Sequence, residues 1–278
     1  MDEVEFVSGE TRIYAIVGHP IEQVRSPEMV TAELVKRGHN AILIPIDVLP
    51  VDFERTVGGL TRVQNLDGLI FTIPFKQRAC ALADELGRQA RTVGAINAMG
   101  RDRNGKWFGD IFDGIGCLEA FRNHNLQFKN QRVMLIGAGG AGRAIGVAVA
   151  YEGPAAITIY DIDERRAAQL AETVATIDPK IRLSVRTPVV ENIDILLNAS
   201  PVGMLSDPRA PIDPPQIPAD VVVFDAIVKP EITKLLAIAQ QSGCRTIFGR
   251  EMMRGQIAKI VDYFEAPQAE ARRSTDAH

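Results

Sequence analysis

The chain has 278 residues, 46% of them hydrophobic and 24% charged, with a formal net charge of -4; this is ordinary globular composition, at a length that suits two hydrophobic cores better than one. Acids and bases are interspersed, and no run of Lys or Arg could follow a phosphate backbone, so no nucleic acid is expected as a partner. No apolar stretch approaches membrane-spanning length, and the start Met1-Asp2-Glu3-Val4-Glu5 lacks the positive flank and apolar core of a signal peptide, which makes a cytoplasmic protein with no membrane partner the expectation. The three cysteines, Cys80, Cys117 and Cys244, lie far apart among small or apolar neighbours. They read as buried structural thiols, with no disulfide and no metal cluster.

The first part of the chain alternates strand-like and helix-like segments. Arg12 to Val17 is predicted as a strand, Pro27 to Lys36 as a helix, Ala41 to Asp47 as a strand and Asp52 to Leu60 as a helix. Gly68 to Ile73 follows as a strand, with a helix predicted from about Phe75 to Leu86. This alternation implies an α/β domain with a mostly parallel sheet and helices on both faces. Ala95 to Met99 and Trp107 to Ile111 flank the turn Asp102-Arg103-Asn104-Gly105 and read as a hairpin. A helix starting at Asp113 marks the passage into a second domain. There the strands are predicted at Val133 to Ile136, Ala156 to Tyr160, Ile181 to Val185, Ile193 to Asn198, Val221 to Phe224 and Thr246 to Phe248, the number of a full dinucleotide-binding sheet. The amphipathic stretch Arg250 to Phe264 is expected to return to the first domain, and Ala266 to His278 to be a frayed polar tail. The proline-dense segment Pro208 to Pro218 is a loop, read either as a plain surface connection or as a flap beside a nicotinamide.

The most informative run is Gly137-Ala138-Gly139-Gly140-Ala141-Gly142, placed directly after an apolar strand and directly before a small-residue helix. In a βαβ unit that order sets the first helical N–H groups and the positive end of the helix dipole against a pyrophosphate, with glycines where a Cβ would collide with the ligand. A dinucleotide is the expected cofactor. Asp161, at the end of the next strand, stands where an acidic side chain accepts the ribose hydroxyls of an adenosine and repels a 2′-phosphate, favouring NAD over NADP. Arg165 and Arg166, one turn further on, could instead reach a phosphate, and Asp161 or Asp163 could simply cap the next helix.

Further segments carry a resemblance that runs over nearly the whole length: Gly18-His19-Pro20-Ile21 followed by Ser26-Pro27, then Thr72-Ile73-Pro74-Phe75-Lys76, then Gly94-Ala95-Ile96-Asn97. Asp113-Gly114-Ile115-Gly116, the glycine turn, Asn198-Ala199-Ser200-Pro201-Val202-Gly203-Met204 and the stretch Gly249 to Gln256 complete it. In these motifs and their order the chain resembles the shikimate and quinate dehydrogenase family. The resemblance implies an N-terminal α/β domain, residues 1–113 completed by 250–278, that binds a ring acid, and a Rossmann domain, residues 114–249, that binds NAD or NADP, the two meeting over a cleft.

Carried over by motif, the resemblance makes Lys76 and Asp113 the catalytic pair. Oxidising a secondary alcohol by hydride transfer needs a base for the hydroxyl proton, which a lysine amine supplies, and a carboxylate beside it holds the ammonium. Without the resemblance Lys76 reads as a first-turn helix residue and Asp113 as an N-cap. Ser26 is implied at the substrate carboxylate, Thr72 at the ring pocket, and Asn97 and Gln256 at ring hydroxyls. Gly137, Gly139, Gly140, Ala141, Gly142, Asp161, Asn198, Ser200, Val202, Gly203 and Met204 are implied around the cofactor. Val24, Ile70, Ile111-Phe112 and Ile227 depart from the family pattern, each replacing a hydrogen-bonding residue with an apolar one. A polar substrate group left unpaired costs roughly 1 to 3 kcal/mol, so a less polar relative of shikimate or quinate is the expected substrate. Shikimate itself and a non-catalytic metabolite sensor are the alternatives, and the sequence admits a monomer or a homodimer.

Overall fold

The structure, a computed structural model, describes residues 7–212 and 217–275, with the backbone alone for residues 267–275. Met1 to Glu5, the middle of the proline-dense loop and the last residues of the polar tail lie outside the described residues.

Strands β1 (Arg12–Gly18) and β3 (Leu66–Phe71) are buried along most of their length, as parallel strands covered on both faces are. They pair with each other in parallel, and β1 pairs in parallel with β2 (Ala41–Asp47). Between β1 and β2 runs α1 (Ser26–Lys36), opened by a proline and turning Val30 and Leu34 inward one turn apart. After β2, a short 3-10 turn (Pro50–Asp52) leads into α2 (Phe53–Leu60).

The predicted helix from Phe75 to Leu86 is not formed. Only a 3-10 turn, Arg78–Leu82, survives of it, and the chain then extends into the two-residue strand β4 (Glu85–Leu86) and the helix α3 (Arg88–Val93), stopped by Gly94 at φ 71°. The reason is tertiary. Asp84 exchanges hydrogen bonds with Trp107, its N–H reaching the Trp107 carbonyl at 2.8 Å and its carboxylate accepting the Trp107 N–H at 2.8 Å. The Gly87 N–H reaches the Gly109 carbonyl at 2.8 Å, so a neighbouring strand takes the backbone groups a helix would have used. That neighbour is β6 (Trp107–Asp110), antiparallel to β5 (Ala98–Arg101) in the expected hairpin. The Asp102 carboxylate holds its turn by accepting the N–H groups of Asn104 and Lys106, and Gly105 supplies φ 84°. The first sheet thus has the order β2-β1-β3-β5-β6-β4.

The helix α4 (Asp113–Asn123) starts at the residue where the passage into the second domain was expected. The second sheet is formed by β7 (Arg132–Ile136), β8 (Ala156–Tyr160), β9 (Arg182–Val185), β10 (Ile195–Asn198), β11 (Val222–Asp225) and β12 (Arg245–Phe248). All its pairings are parallel, in the order β12-β11-β10-β7-β8-β9. This doubly wound order reverses direction between β7 and β10, and that switch point is where such sheets bind ligands. The connecting helices include α5 (Gly140–Tyr151), α6 (Glu164–Ile177) and α7 (Lys234–Gln241).

The chain divides into two compact units, one running to Phe112 and resuming at Ile257, the other Asp113–Gln256. The final helix α8 (Gly249–Thr275) contributes to both. The second division falls about two turns further along α8 than the boundary read from the sequence. In the first unit Phe264 lies against Tyr14 with ring centroids 4.9 Å apart, and a Cβ on Gly68 would come within 2.8 Å of its ring, so a glycine is required where the helix crosses β3. Cys80 is half-buried and Cys117 and Cys244 are buried; all three are free thiols, and burial pushes the pKa of each upward.

Candidate active site

In the first unit the polar candidates gather at the C-terminal ends of β1 and β3, the usual ligand edge of a parallel sheet. Thr72 donates its N–H to the Val17 carbonyl at 3.0 Å, and its methyl occupies the space a Cβ on Gly18 would need. Lys76, half-buried, lies in the turn that follows, and its carbonyl accepts the Ile96 N–H at 2.8 Å. Asn97 is 3% exposed; its carbonyl accepts the Phe71 N–H at 2.9 Å and its side-chain oxygen accepts the Phe112 N–H at 2.9 Å. One asparagine therefore ties β3 to the residue that precedes Asp113, a positioning duty that motif reading does not reveal. Ser26, half-buried, opens α1 directly after the β1 loop.

In the second unit Asp113 is the first residue of α4 and 3% exposed. The next residue explains its placement: a Cβ on Gly114 would stand 2.5 Å from the Ala144 carbonyl and 2.7 Å from the Ala148 methyl, so only glycine lets α4 lie this close to α5. Gln256 sits on α8 facing α4, where a Cβ on Gly116 would come within 3.1 Å of its own Cβ. Just before Asp113, the Asp110 carboxylate accepts the N–H groups of Ala90 at 2.7 Å and Ile111 at 2.9 Å, yet burial outweighs both bonds and raises its pKa.

The glycine turn fits a dinucleotide by the space it leaves. Gly137 has φ 94°, and a Cβ there would press within 2.7 Å of the Ser200 nitrogen. A Cβ on Gly142 would collide with the Gly137 carbonyl, whereas one on Gly139, the N-cap of α5, would meet open space. The first and third glycines thus close the turn on itself, and the second leaves room for a ligand at the helix N-terminus beside Gly140 and Ala141. Asp161 has a duty the sequence did not announce: its carboxylate accepts the Ala138 N–H at 2.7 Å and the Asp163 N–H at 2.9 Å, so it holds the turn in shape. Each of its oxygens keeps a second lone pair as an acceptor. The cap of α6 is Asp163, whose side chain accepts the Arg165 N–H and lies 3.5 and 3.7 Å from the guanidinium nitrogens of Arg165 and Arg166.

Across the switch point, Ser200, Val202, Gly203 and Met204 form the loop after β10. Asn198 is fully buried, and its amide is engaged by Ser200, Val202 and Asp225, so its side chain shapes this loop from beneath. Residues 16–99 match a family model described as the shikimate dehydrogenase substrate binding domain. The shikimate dehydrogenase (NADP(+)) of Alkaliphilus oremlandii is 31% identical over 261 residues, covering 91% of each chain. The chain belongs to the shikimate/quinate dehydrogenase family. A shikimate dehydrogenase solved in complex with NADP+ superposes with a TM-score of 0.82 at 28% identity, covering 94% of this chain and 92% of that one. The quinate dehydrogenase of Corynebacterium glutamicum, solved with NAD, gives 0.81 at 26% identity, covering 92% and 94%. As a member of the shikimate/quinate dehydrogenase family the protein is an NAD(P)-dependent oxidoreductase acting on a CH–OH group, which sets the sensor reading aside. No helix among the described residues is long and apolar enough to cross a membrane.

The positions that depart from the family pattern are structurally committed to packing. Ile70 is 5% exposed on the same face of β3 as Gly68, Ile111 is buried, and the Phe112 ring lies 5.2 Å from that of Tyr263. Ile227 is 7% exposed, and its Cδ1 lies 3.0 Å from the point where a Cβ on Gly203 would stand. Val24 is half-buried in the loop before α1.

Proposed function

We propose that the protein oxidises and reduces a ring secondary alcohol of a shikimate- or quinate-like acid less polar than shikimate, with NAD preferred over NADP. The observation that carries this reading is the contrast between retained and replaced positions. Lys76, Asp113, Ser26, Thr72, Asn97 and Gln256 keep their polar groups, while Val24, Ile70, Ile111, Phe112 and Ile227 are apolar and mostly buried. The first unit is assigned to the ring acid, which the substrate-binding-domain match over residues 16–99 supports, and the second to the dinucleotide.

In this reading the Lys76 amine takes the proton of the reacting hydroxyl at Nζ and returns it in the reverse direction. Asp113, buried at the start of α4, is the carboxylate that the family resemblance assigns to the ammonium form, and the Asn97 side chain accepts the N–H of Phe112 just before it. Asn97 and Gln256 orient the ring by its hydroxyls, Thr72 lines the ring pocket and Ser26 meets the carboxylate. The nicotinamide, when bound, supplies the hydride acceptor or donor. Gly137, Gly139, Gly140, Ala141 and Gly142 would cradle the pyrophosphate of the dinucleotide, and Ser200, Val202, Gly203 and Met204 would border its nicotinamide end.

NAD is preferred because Asp161 and Asp163 place two carboxylates after β8, with Ile162 between them 90% exposed and Arg165 and Arg166 drawn to Asp163. Both cofactors occur in the family, since the relative from Alkaliphilus oremlandii is named for NADP(+) and the quinate dehydrogenase structure holds NAD. Steady-state rates with shikimate, quinate and deoxygenated or aromatic ring analogues, each with NAD+ and NADP+, test both parts. A higher kcat/KM on a less polar analogue with NAD+ is the expected result; full efficiency on shikimate with no such preference would sink the substrate reading. Authentic shikimate dehydrogenase is the second reading, favoured by the retained Ser26, Thr72, Asn97 and Gln256.

A further inference from the structure

One buried carboxylate reaches three segments at the switch-point edge of the second sheet. Asp225 ends β11 opposite Asn198, which ends β10, and both are fully buried. The Asn198 side-chain amide donates to Asp225 Oδ1 at 3.0 Å, and the Ile227 N–H donates to the same oxygen at 3.0 Å. The Thr233 hydroxyl donates to Oδ2 at 2.6 Å while accepting the Leu236 N–H at 3.3 Å, so the same carboxylate is joined to the start of α7.

On its other side Asn198 governs the loop. Its amide nitrogen also donates to the Val202 carbonyl at 3.2 Å, and its oxygen accepts the Ser200 N–H at 3.1 Å and the Ser200 hydroxyl at 2.7 Å. The Ser200 hydroxyl oxygen in turn accepts the Val202 N–H at 3.3 Å. An ionised carboxylate only accepts, so Asp225 compels Asn198 to present its nitrogen toward β11 and Val202 and its oxygen toward Ser200. Turned over, the amide would set donor against donor at Ser200 and oxygen against oxygen at Val202 and Asp225. The loop so held lies directly on the glycine turn, where Gly137 has no room for a Cβ beside Ala199 and Ser200.

We propose that Asp225 is a positioning residue for the nicotinamide half of the dinucleotide, acting through Asn198 on the loop from Ala199 to Met204. The proposal rests on the reading that this loop borders the nicotinamide. In a doubly wound sheet the two mononucleotide halves bind on opposite sides of the switch point; Asp161 marks the adenosine side and β10 and β11 lie on the other. Loss of Asp225 therefore weakens binding of the whole dinucleotide and spares binding of its adenosine half.

The test is calorimetric titration of NAD+, NADP+ and ADP into the intact protein and into Asp225→Ala, Asp225→Asn and Thr233→Val, with a thermal melt of each. For Asp225→Ala the better of the two dinucleotides is expected to bind at least about tenfold more weakly while ADP changes by less than about twofold. Asp225→Asn can point its oxygen at Asn198 and Ile227 and its nitrogen at Thr233, so it restores most of the dinucleotide affinity; Thr233→Val, which keeps the carboxylate, costs about threefold. Equal losses for ADP and dinucleotide, or no loss for either, would overturn the proposal. Should Asp225→Ala fail to fold, the same ratio in Thr233→Val decides. If the unmodified protein binds neither NAD+ nor NADP+, the dinucleotide assignment itself falls, a result distinct from an unaltered ratio.

Discussion

Lys76 and Asp225 show how differently two ionisable side chains can serve one protein. Lys76 is half-buried in a turn, and its assigned task is a proton transfer. Lys76→Ala is expected to lower kcat by about 10²- to 10⁴-fold, the usual worth of a positioned acid–base group, with a thermal midpoint close to that of the parent. A comparable fall in both would mark the lysine as structural. Asp225 lies wholly inside, and burial raises its carboxyl to about 6 against its three hydrogen bonds. Between pH 3.8 and about 6 the folded protein therefore holds a proton that the unfolded chain has released, and above that range the buried carboxylate is ionised. Stability from this group is greatest below that unfolded value, falls as pH rises through about 6, and is flat above it. The total is on the order of 3 kcal/mol. Denaturant unfolding across this range should show the parent losing stability relative to Asp225→Asn as pH rises, and identical pH profiles would contradict the buried charge.

The glycine turn allows structure and ligand to be separated at the scale of a single element. A Cβ on Gly142 strikes the turn's own carbonyl, whereas one on Gly139 meets nothing in the protein. Gly142→Ala is accordingly expected to lower both the thermal midpoint and dinucleotide affinity. Gly139→Ala should keep stability within about 0.5 kcal/mol while weakening dinucleotide binding about tenfold, as read by calorimetry. Unchanged affinity in Gly139→Ala would remove the pyrophosphate from this turn. The turn itself was legible in the sequence because glycine spacing is a local, steric matter. The extended segment from Ala83 to Leu86 was not, because its helical pattern is overruled by hydrogen bonds from Trp107 and Gly109, more than twenty residues away along the chain.

For the whole molecule, the first unit depends on a helix that the chain supplies only after building the second. Phe264, 1% exposed, covers Tyr14 and the glycine gap at Gly68. Phe264→Ala is expected to destabilise that unit by about 3 to 5 kcal/mol. The single tryptophan, Trp107, is buried in the same unit's core, so its emission during denaturation reports this transition directly. A fragment ending at Phe112 should show no cooperative tryptophan transition; a sharp one would mean that the sheet holds without α8.

The β-α alternation, the six-strand second sheet, the glycine turn and the family motifs could all be read along the chain. Apolar periodicity, tight-turn sterics and short motifs act over a few residues and leave their mark in order. The clamping of the glycine turn by Asp161, the grip of Asn97 on Phe112, the Asp225–Asn198 network and the edge strand at Glu85–Leu86 emerged only from the tertiary structure. Each depends on which backbone groups and carboxylates distant parts of the chain bring within hydrogen-bonding distance. Burial then makes those pairings obligatory, because a polar group enclosed without a partner costs more than the bond it would have made.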